Sequence, residues 1–272
     1  MTPTSFPSFD FDQAIALQAF GLGQYAGSTH SAWANMVGPF GGITAAVMLQ
    51  AVMLHPERLG DPVSVTVNFC AGLAEGAFEA AARPARTNRS TQHWTLELTQ
   101  AGAVVITATA VTAVRRTTFS SIEHVLPGVV PADQLQRSAP PQLPWTQRYD
   151  MRALTGHLPT VWDGVEGDTL SQMWVRDVQE RPLDFASLTA VADTFFPRVF
   201  LRRRKFVPIG TVSMTVYFHT DAQELTAIGT RFILGQARAQ CFFNGFFDQS
   251  AQLWSESGKL VATTHQVVYF KE

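Results

Sequence analysis

Apolar and polar residues alternate strictly over residues 63–69. This period of two predicts a strand with one face buried. The pattern recurs at 212–218, with identical residues at five of the seven positions. A glycine followed by an apolar run comes after each copy, Gly102 in the first and Gly258 in the second. Because this repeat unit is longer than those of solenoid proteins, we expect a duplicated domain.

Each copy predicts one apolar helix and several strands. In the first copy, residues 43–54 predict a helix opened by Gly41 and Gly42; it is apolar on every side and must therefore be buried. In the second copy, residues 183–196 predict a helix with an apolar face at helical spacing. Strands are predicted at 63–69, 79–84, 91–100, 104–114, 173–178, 211–219, 226–234, 237–253 (as two segments or with a bulge) and 260–270.

A curved antiparallel sheet wrapped around one helix is an economical way to bury such a helix, and this arrangement is the hotdog fold. Two copies in one chain predict an α+β protein with a double hotdog. A segment rich in proline and without periodicity separates the copies. We expect an N-terminal repeat at 1–119, a linker at 120–144 and a C-terminal repeat at 145–272.

Composition narrows the choice of partners. The formal net charge of −2 gives no reason to expect nucleic acid. The apolar run at 43–54 is shorter than the roughly 20 residues of a membrane span, so no membrane partner is expected. Residues 1–6 lack the basic and apolar regions of a signal peptide, which predicts a cytoplasmic protein. Charged residues make up only 15% of the chain, which favours a homo-oligomer, a dimer or larger.

Motifs for cofactors and metals are missing from the sequence. Cys70 and Cys241 fit no metal or redox spacing, and the seven histidines form no zinc spacing. The glycines in 21–27 miss the dinucleotide-binding spacing by one residue. No Gly-x-Ser-x-Gly elbow occurs, which disfavours a serine hydrolase. The sequence therefore predicts no cofactor and no metal.

The two copies differ in a few polar residues of the second. Asp193 falls in the second predicted helix, whereas the first helix has no ionisable residue. Aligning the repeats places Thr211 opposite Pro62 and Gln266 opposite Ala110. A carboxylate or carboxamide among apolar neighbours needs hydrogen-bond partners. These residues are candidates for chemistry; the alternatives are a helix-end aspartate at Asp193 and a glutamine bonded to neighbouring backbone.

Segments 38–42, 86–90, 192–197, 211–219 and 257–266 together carry a resemblance to a known family. In these segments the chain resembles the acyl-CoA thioesterase II group of double-hotdog thioesterases. In that family an Asp, a Thr and a Gln bind and activate the hydrolytic water, and the resemblance assigns these roles to Asp193, Thr211 and Gln266. The sequence departs from the family pattern at Thr220, where the family usually has arginine, and at Val267, where glutamate is common.

The resemblance implies an enzyme that hydrolyses the thioester of acyl-CoA to a free fatty acid and coenzyme A. The free N–H groups at the start of the first helix, Gly41 and Gly42, are candidates to stabilise the thioester oxyanion, with helix-entry flexibility as the alternative. The basic run Arg202, Arg203 and Arg204 is a candidate for the phosphates of coenzyme A, with a solvated loop as the alternative.

Two other functions remain open at this point. One is a hotdog enoyl-CoA hydratase, which would need an Asp/His pair. The other is a non-catalytic acyl-CoA-binding protein that kept the fold. An assay of thiol release and enoyl absorbance on a panel of acyl-CoAs separates the three.

Overall fold

The computed structural model of the chain describes residues 9–139 and 141–272, so residues 1–6 and the linker proline Pro140 lie outside the described part. None of the helices in this part is both long and apolar enough to cross a membrane. The α-helices are α1 Asp10–Ala14, α2 Gly41–Met53, α3 Phe185–Val191, α4 Arg198–Arg203 and α5 Ala222–Ile228, and short 3₁₀ helices lie at Ser31–Trp33, Ala132–Gln134 and Pro144–Arg148. The strands are β1 Gln18–Gly21, β2 Gln24–Ser28, β3 Asp61–Phe69, β4 Ala77–Thr87, β5 Thr91–Gln100, β6 Ala103–Ala113, β7 Tyr149–Thr155, β8 Ser171–Asp177, β9 Ile209–Phe218, β10 Ile233–Arg238, β11 Phe242–Phe243, β12 Phe246–Ser255 and β13 Leu260–Phe270.

All these strands belong to one antiparallel sheet, in the order β1-β2-β4-β5-β6-β3-β9-β13-β12-β10-β8-β7, with β11 paired to β12. The order is symmetric about the centre: β1-β2-β4-β5-β6-β3, counted from one edge, corresponds to β7-β8-β10-β12-β13-β9, counted from the other. Each half consists of a hairpin, a helix and further antiparallel strands, and β3 and β9 meet at the centre. This confirms the α+β double hotdog. The hairpin β1-β2 and strand β7 of the corresponding hairpin β7-β8 were not predicted from the sequence.

The two halves are related by a pseudo-twofold axis that passes between Thr66 and Thr215. Their hydroxyl oxygens lie 3.0 Å apart. Around this point the register is symmetric, because Ser64 pairs with Tyr217 while Asn68 pairs with Ser213. The repeated heptapeptides of the sequence are therefore the two central strands, hydrogen-bonded to each other.

A β-bulge occurs at the same place in both copies. In β3 the pairing with β6 skips Val63, and in β9 the pairing with β13 skips Val212. Val212 is the counterpart of Val63 in the repeated heptapeptide. A bulge inserts one residue into a strand and turns the neighbouring side chains. The duplicated bulge confirms the alignment of Pro62 with Thr211.

Helix α2 is enclosed by the sheet and by α3. Every residue from Gly42 to Leu49 is buried, as expected for a helix that is apolar all round. A Cβ built at Gly42 would lie 2.7 Å from the carbonyl oxygen of Ala190 in α3, so a glycine lets the two helices touch.

The second helix is shorter than predicted. Asp184 caps α3 by accepting a 2.7 Å bond from the N–H of Ser187, and this capping box sets the start. The helix ends at Val191, and Asp193 lies in the turn that follows. The extension to residue 196 was wrong: Pro197 disfavours helix only at Phe196, and the helix closes earlier because the N–H and the hydroxyl of Thr194 both donate to the carbonyl oxygen of Val191.

The strand predicted at 226–234 is also wrong in its first half. Asp221 accepts a 2.8 Å bond from the N–H of Glu224 and starts helix α5, which buries Leu225 and Ile228 three residues apart. Gly229 has a φ of +62° and ends the helix, and β10 begins only at Ile233. A local N-cap therefore overrode the β-propensity of this segment.

The segment between the halves runs across the second repeat, and its described residues are irregular apart from a 3₁₀ helix at Ala132–Gln134. The indole N–H of Trp174 donates to the carbonyl oxygen of Val130 at 2.9 Å, and that of Trp254 donates to His124 at 3.1 Å. The segment thereby covers an apolar cluster of β8, β10 and β12. The exact boundaries 1–119, 120–144 and 145–272 stay a prediction.

Candidate active site

A cavity of about 210 Å³ lies where the N terminus of α2 meets the turn after α3. Its walls are mostly aromatic and aliphatic, and they come from both repeats and from the segment that joins them. Five polar side chains also line it: Asn35, Asp193, Thr211, Gln249 and Gln266. A larger groove of about 890 Å³ lies along β4, β5 and β6 and contains no candidate residue. The smaller cavity is the candidate site because polar groups converge there within an apolar lining.

Asp193 and Gln266 are hydrogen-bonded to each other in this cavity. The Nε2 of Gln266 donates to Oδ1 of Asp193 at 2.8 Å. Gln266 is 3% exposed and also lies 3.5 Å from the sulfur of Met214 through the same nitrogen. Because the nitrogen is used in this way, the amide oxygen Oε1 is the atom left to accept a hydrogen bond from a molecule in the cavity.

The Asp193 carboxyl is perturbed by its surroundings. Burial raises its pKa from 3.8 to about 7, while the bond from Gln266 and the backbone N–H of Gly42 act in the opposite direction. A carboxyl with a pKa near neutrality exchanges its proton easily at physiological pH. Perturbed carboxyls inside clefts are frequent at catalytic sites.

Thr211 reaches the same cavity from the central strand β9. It precedes the bulge residue Val212 and is paired with Val268 of β13. Its hydroxyl makes no hydrogen bond with any residue between 9 and 139 or 141 and 272. The structure therefore brings Asp193, Thr211 and Gln266 together, and the hydroxyl of Thr211 is free for a ligand.

The two glycines at the start of α2 make different contacts with the site. Gly41 lines the cavity, and a Cβ built on it would lie only 2.8 Å from Oδ2 of Asp193. The N–H of Gly42 faces the Asp193 carboxylate. Of the two candidate oxyanion donors, Gly42 is thus turned toward the carboxylate; a role of either glycine toward an oxyanion stays a prediction.

The basic run lies outside the cavity, at and just beyond the end of α4. Each guanidinium is beside a carboxylate: Arg202 is 2.7 Å from Glu166, Arg203 is 3.5 Å from Glu272 and Arg204 is 3.7 Å from Asp163. These pairs compensate much of the positive charge. A contact of the three arginines with phosphate stays a prediction.

Two models of known protein families match the chain. The acyl-CoA thioesterase N-terminal domain matches residues 29–113, and the acyl-CoA thioesterase C-terminal domain matches residues 127–270. The chain belongs to the acyl-CoA thioesterase family. The resemblance stated from the sequence is thereby confirmed.

Two solved structures with this fold are similar to the chain over nearly its whole length. A hot dog fold protein of unknown function from Alicyclobacillus acidocaldarius is 48% identical, with a TM-score of 0.93 and coverage of 98% of this chain and 99% of that one. An acyl-CoA thioesterase II from Mycobacterium marinum is 17% identical, with a TM-score of 0.76 and coverage of 96% and 98%. No curated protein matches the sequence.

Two residues of this cavity were not predicted from the sequence. Trp145, at the predicted linker boundary, stacks on Phe40 with ring centroids 4.1 Å apart and forms part of the wall. Gln249 of β12 stands directly opposite Gln266 of β13. Its counterpart in the first copy is Trp94, which pairs with Ala110 in the same register. The same comparison of copies would have found Gln249, had β12 been aligned with β5.

Proposed function

We propose that this chain hydrolyses acyl-CoA thioesters to a carboxylic acid and coenzyme A, using a water held by Asp193, Thr211 and Gln266. The observation that carries the proposal is the Gln266–Asp193 hydrogen bond of 2.8 Å inside an apolar cavity, beside a free threonine hydroxyl. Family membership supports the acyl-CoA substrate.

The donors and acceptors of the three side chains suit one water molecule. The water gives one hydrogen to Asp193 and the other to Oε1 of Gln266. It accepts a hydrogen bond from the hydroxyl of Thr211. One lone pair then remains free to attack the thioester carbonyl, and the water is already oriented for that step.

The reaction follows from this arrangement. The water oxygen forms a bond to the carbonyl carbon while Asp193 takes a proton from the water. The negative charge that develops on the carbonyl oxygen is stabilised by the N–H of Gly41, at the positive end of the α2 dipole. The C–S bond then breaks, and Asp193 returns the proton to the leaving thiolate of coenzyme A.

The cavity wall fits an apolar acyl group. Its aromatic lining includes Phe40, Trp145 and Phe200, all of which are buried. Burial of apolar acyl surface against these rings supplies binding energy.

The hydratase alternative loses support from the cavity lining. A hotdog hydratase would need a histidine beside the aspartate, and within the described part of the chain no histidine lines this cavity. We therefore place hydration second and test it directly.

The decisive experiment is incubation of the protein with acyl-CoAs of increasing chain length, while thiol release and enoyl absorbance are recorded. Thiol release that is lost in the Asp193→Asn variant supports the proposal. Loss of enoyl absorbance without thiol release would indicate a hydratase. Saturable binding without turnover would indicate a non-catalytic protein.

A further inference from the structure

Arg198 is a buried cation without a carboxylate partner among the described residues. It is 1% exposed, and its donors go to neutral groups of the second repeat. Its Nη1 donates to the Ser171 hydroxyl at 2.6 Å and to the Thr169 carbonyl at 3.0 Å. Its Nε donates to Oε1 of Gln249 at 2.9 Å. Burial of an unpaired charge is costly, so its retention beside the cavity calls for a function.

The hydrogen bond from Nε of Arg198 fixes the orientation of the Gln249 carboxamide. A guanidinium has donors only, so the atom of Gln249 that faces Arg198 must be the oxygen. The nitrogen Nε2 therefore points the other way. Gln249 is 2% exposed, lines the cavity and has no further hydrogen bond to a residue of the described ranges. Its N–H groups thus have no hydrogen-bond partner among the described residues, at a residue that lines the cavity.

Gln249 and Gln266 present opposite atoms to the same space. They are direct cross-strand neighbours, whose side chains lie on the same face of the sheet about 5 Å apart. Gln266 uses its nitrogen on Asp193 and offers an oxygen, whereas Gln249 uses its oxygen on Arg198 and offers a nitrogen. The pair therefore places an oxygen that can accept a hydrogen bond from water next to an N–H that can donate to the substrate.

We propose that Gln249 is a further catalytic residue, whose Nε2 donates to the thioester carbonyl oxygen, and that Arg198 is the positioning residue that fixes and polarises its amide. The inference rests on the proposed hydrolysis. The water already has a complete set of partners, and a further donor to it would block the lone pair that attacks. The carbonyl oxygen is the acceptor at the reacting end of the substrate. A donation from Arg198 to the amide oxygen strengthens the donor at the amide nitrogen.

The test uses Gln249→Glu and Gln249→Leu. Glutamate has the same shape, accepts from Arg198 and supplies the missing counter-charge, so the fold is retained while the donor is lost. Leucine removes the donor without adding a charge that would repel the oxyanion. We expect kcat for an acyl-CoA that the wild type hydrolyses to fall by about 10²-fold in both variants, as for other lost oxyanion donors.

Two controls separate catalysis from packing. Gln252→Glu, on the opposite face of β12, should keep the wild-type kcat, because Gln252 does not line the cavity. The Kd of an S-alkyl-CoA, a thioether that lacks the thioester carbonyl oxygen, should stay within about threefold of wild type in Gln249→Glu. Equal losses of alkyl-CoA binding and kcat would reduce Gln249 to a wall residue and overturn the inference.

The outcomes also distinguish this inference from the proposed function. A wild-type enzyme that hydrolyses acyl-CoA, together with a fully active Gln249→Leu variant, would overturn the role of Gln249 and leave the hydrolysis standing. A wild-type protein that releases no thiol from any acyl-CoA of the panel would overturn both. A large loss of kcat in both variants, with alkyl-CoA binding retained, supports the inference.

Discussion

The Nε2 atom of Gln266 lies 2.8 Å from Oδ1 of Asp193, and this bond joins the last strand of the sheet to the turn after α3. The bond constrains both partners. It holds one carboxylate oxygen, so that Oδ2 is left for the cavity, and it directs the amide oxygen of Gln266 to the same space. The two residues are 73 positions apart in the chain, and only the closed second repeat brings them together.

Replacement of Asp193 by asparagine tests whether this residue is the general base. In Asp193→Asn the shape is kept but no group can accept the proton of water, so kcat should fall by about 10²–10⁴-fold. Thiol release under saturating acyl-CoA measures the effect, and circular dichroism checks that the variant is folded. A folded variant with wild-type turnover would contradict the mechanism.

The pH dependence of turnover reports the same carboxyl. Its pKa is raised to about 7, and only the ionised form acts as a base. The value of kcat/KM, which reports ionisations of the free enzyme, should therefore rise with pH through a single ionisation with a midpoint near 7 and level off above it. A rate that is independent of pH between 5.5 and 8.5, with chemistry limiting, would argue against Asp193 as the base.

Stability should change in the opposite direction with pH. The unfolded chain loses the Asp193 proton near pH 3.8, whereas the folded chain holds it to about pH 7. This stabilising contribution is complete below pH 3.8 and is lost as the pH rises through about 7. It amounts to at most about 4 kcal/mol. Asp193→Asn removes it, so the Tm of the variant minus that of wild type should increase between pH 5 and pH 8.

Gly41→Ala tests the close approach of α2 to the carboxylate. The added Cβ would lie 2.8 Å from Oδ2 of Asp193, so the carboxylate must move and the cavity becomes smaller. We expect kcat/KM to fall at least about tenfold, since small displacements of reacting groups are costly. Gly72→Ala is the matched control, because a Cβ there meets no atom within 4 Å. Equal activity of the two variants would contradict this reading.

Much of the fold could be predicted from the sequence because the chain is duplicated, and its two repeats can be compared with each other. The heptapeptides around Val63 and Val212 are the central strands, and Gln266 and Ala110 do occupy equivalent register positions, opposite Met214 and Val65. The hairpin β1-β2 has no such signal, since all its β1 residues are exposed and carry no alternating apolar pattern.

The part of the site that the sequence did not reveal depends on contacts across the sheet. Arg198 is one of several arginines near 202–204 in the sequence, and only burial against Ser171 and Gln249 sets it apart from them. The aromatic wall at Trp145 depends on where the connecting segment packs, which periodicity does not encode. Local capping by Asp221 likewise changed a predicted strand into helix α5.

Two exposed aromatic residues at the cavity give a last prediction. Trp162 and Phe206 are 43% and 63% exposed, and both rings pack on the buried Phe200 with centroids 5.5 Å away. Both line the cavity, where they are placed to cover an acyl group. The double variant Trp162→Ser with Phe206→Ser should raise KM for long acyl-CoAs about tenfold, while kcat and Tm change little. Phe119→Ser, at an 88% exposed residue away from the cavity, is the control and should leave KM unchanged. An unchanged KM in the double variant would show that the acyl group binds elsewhere.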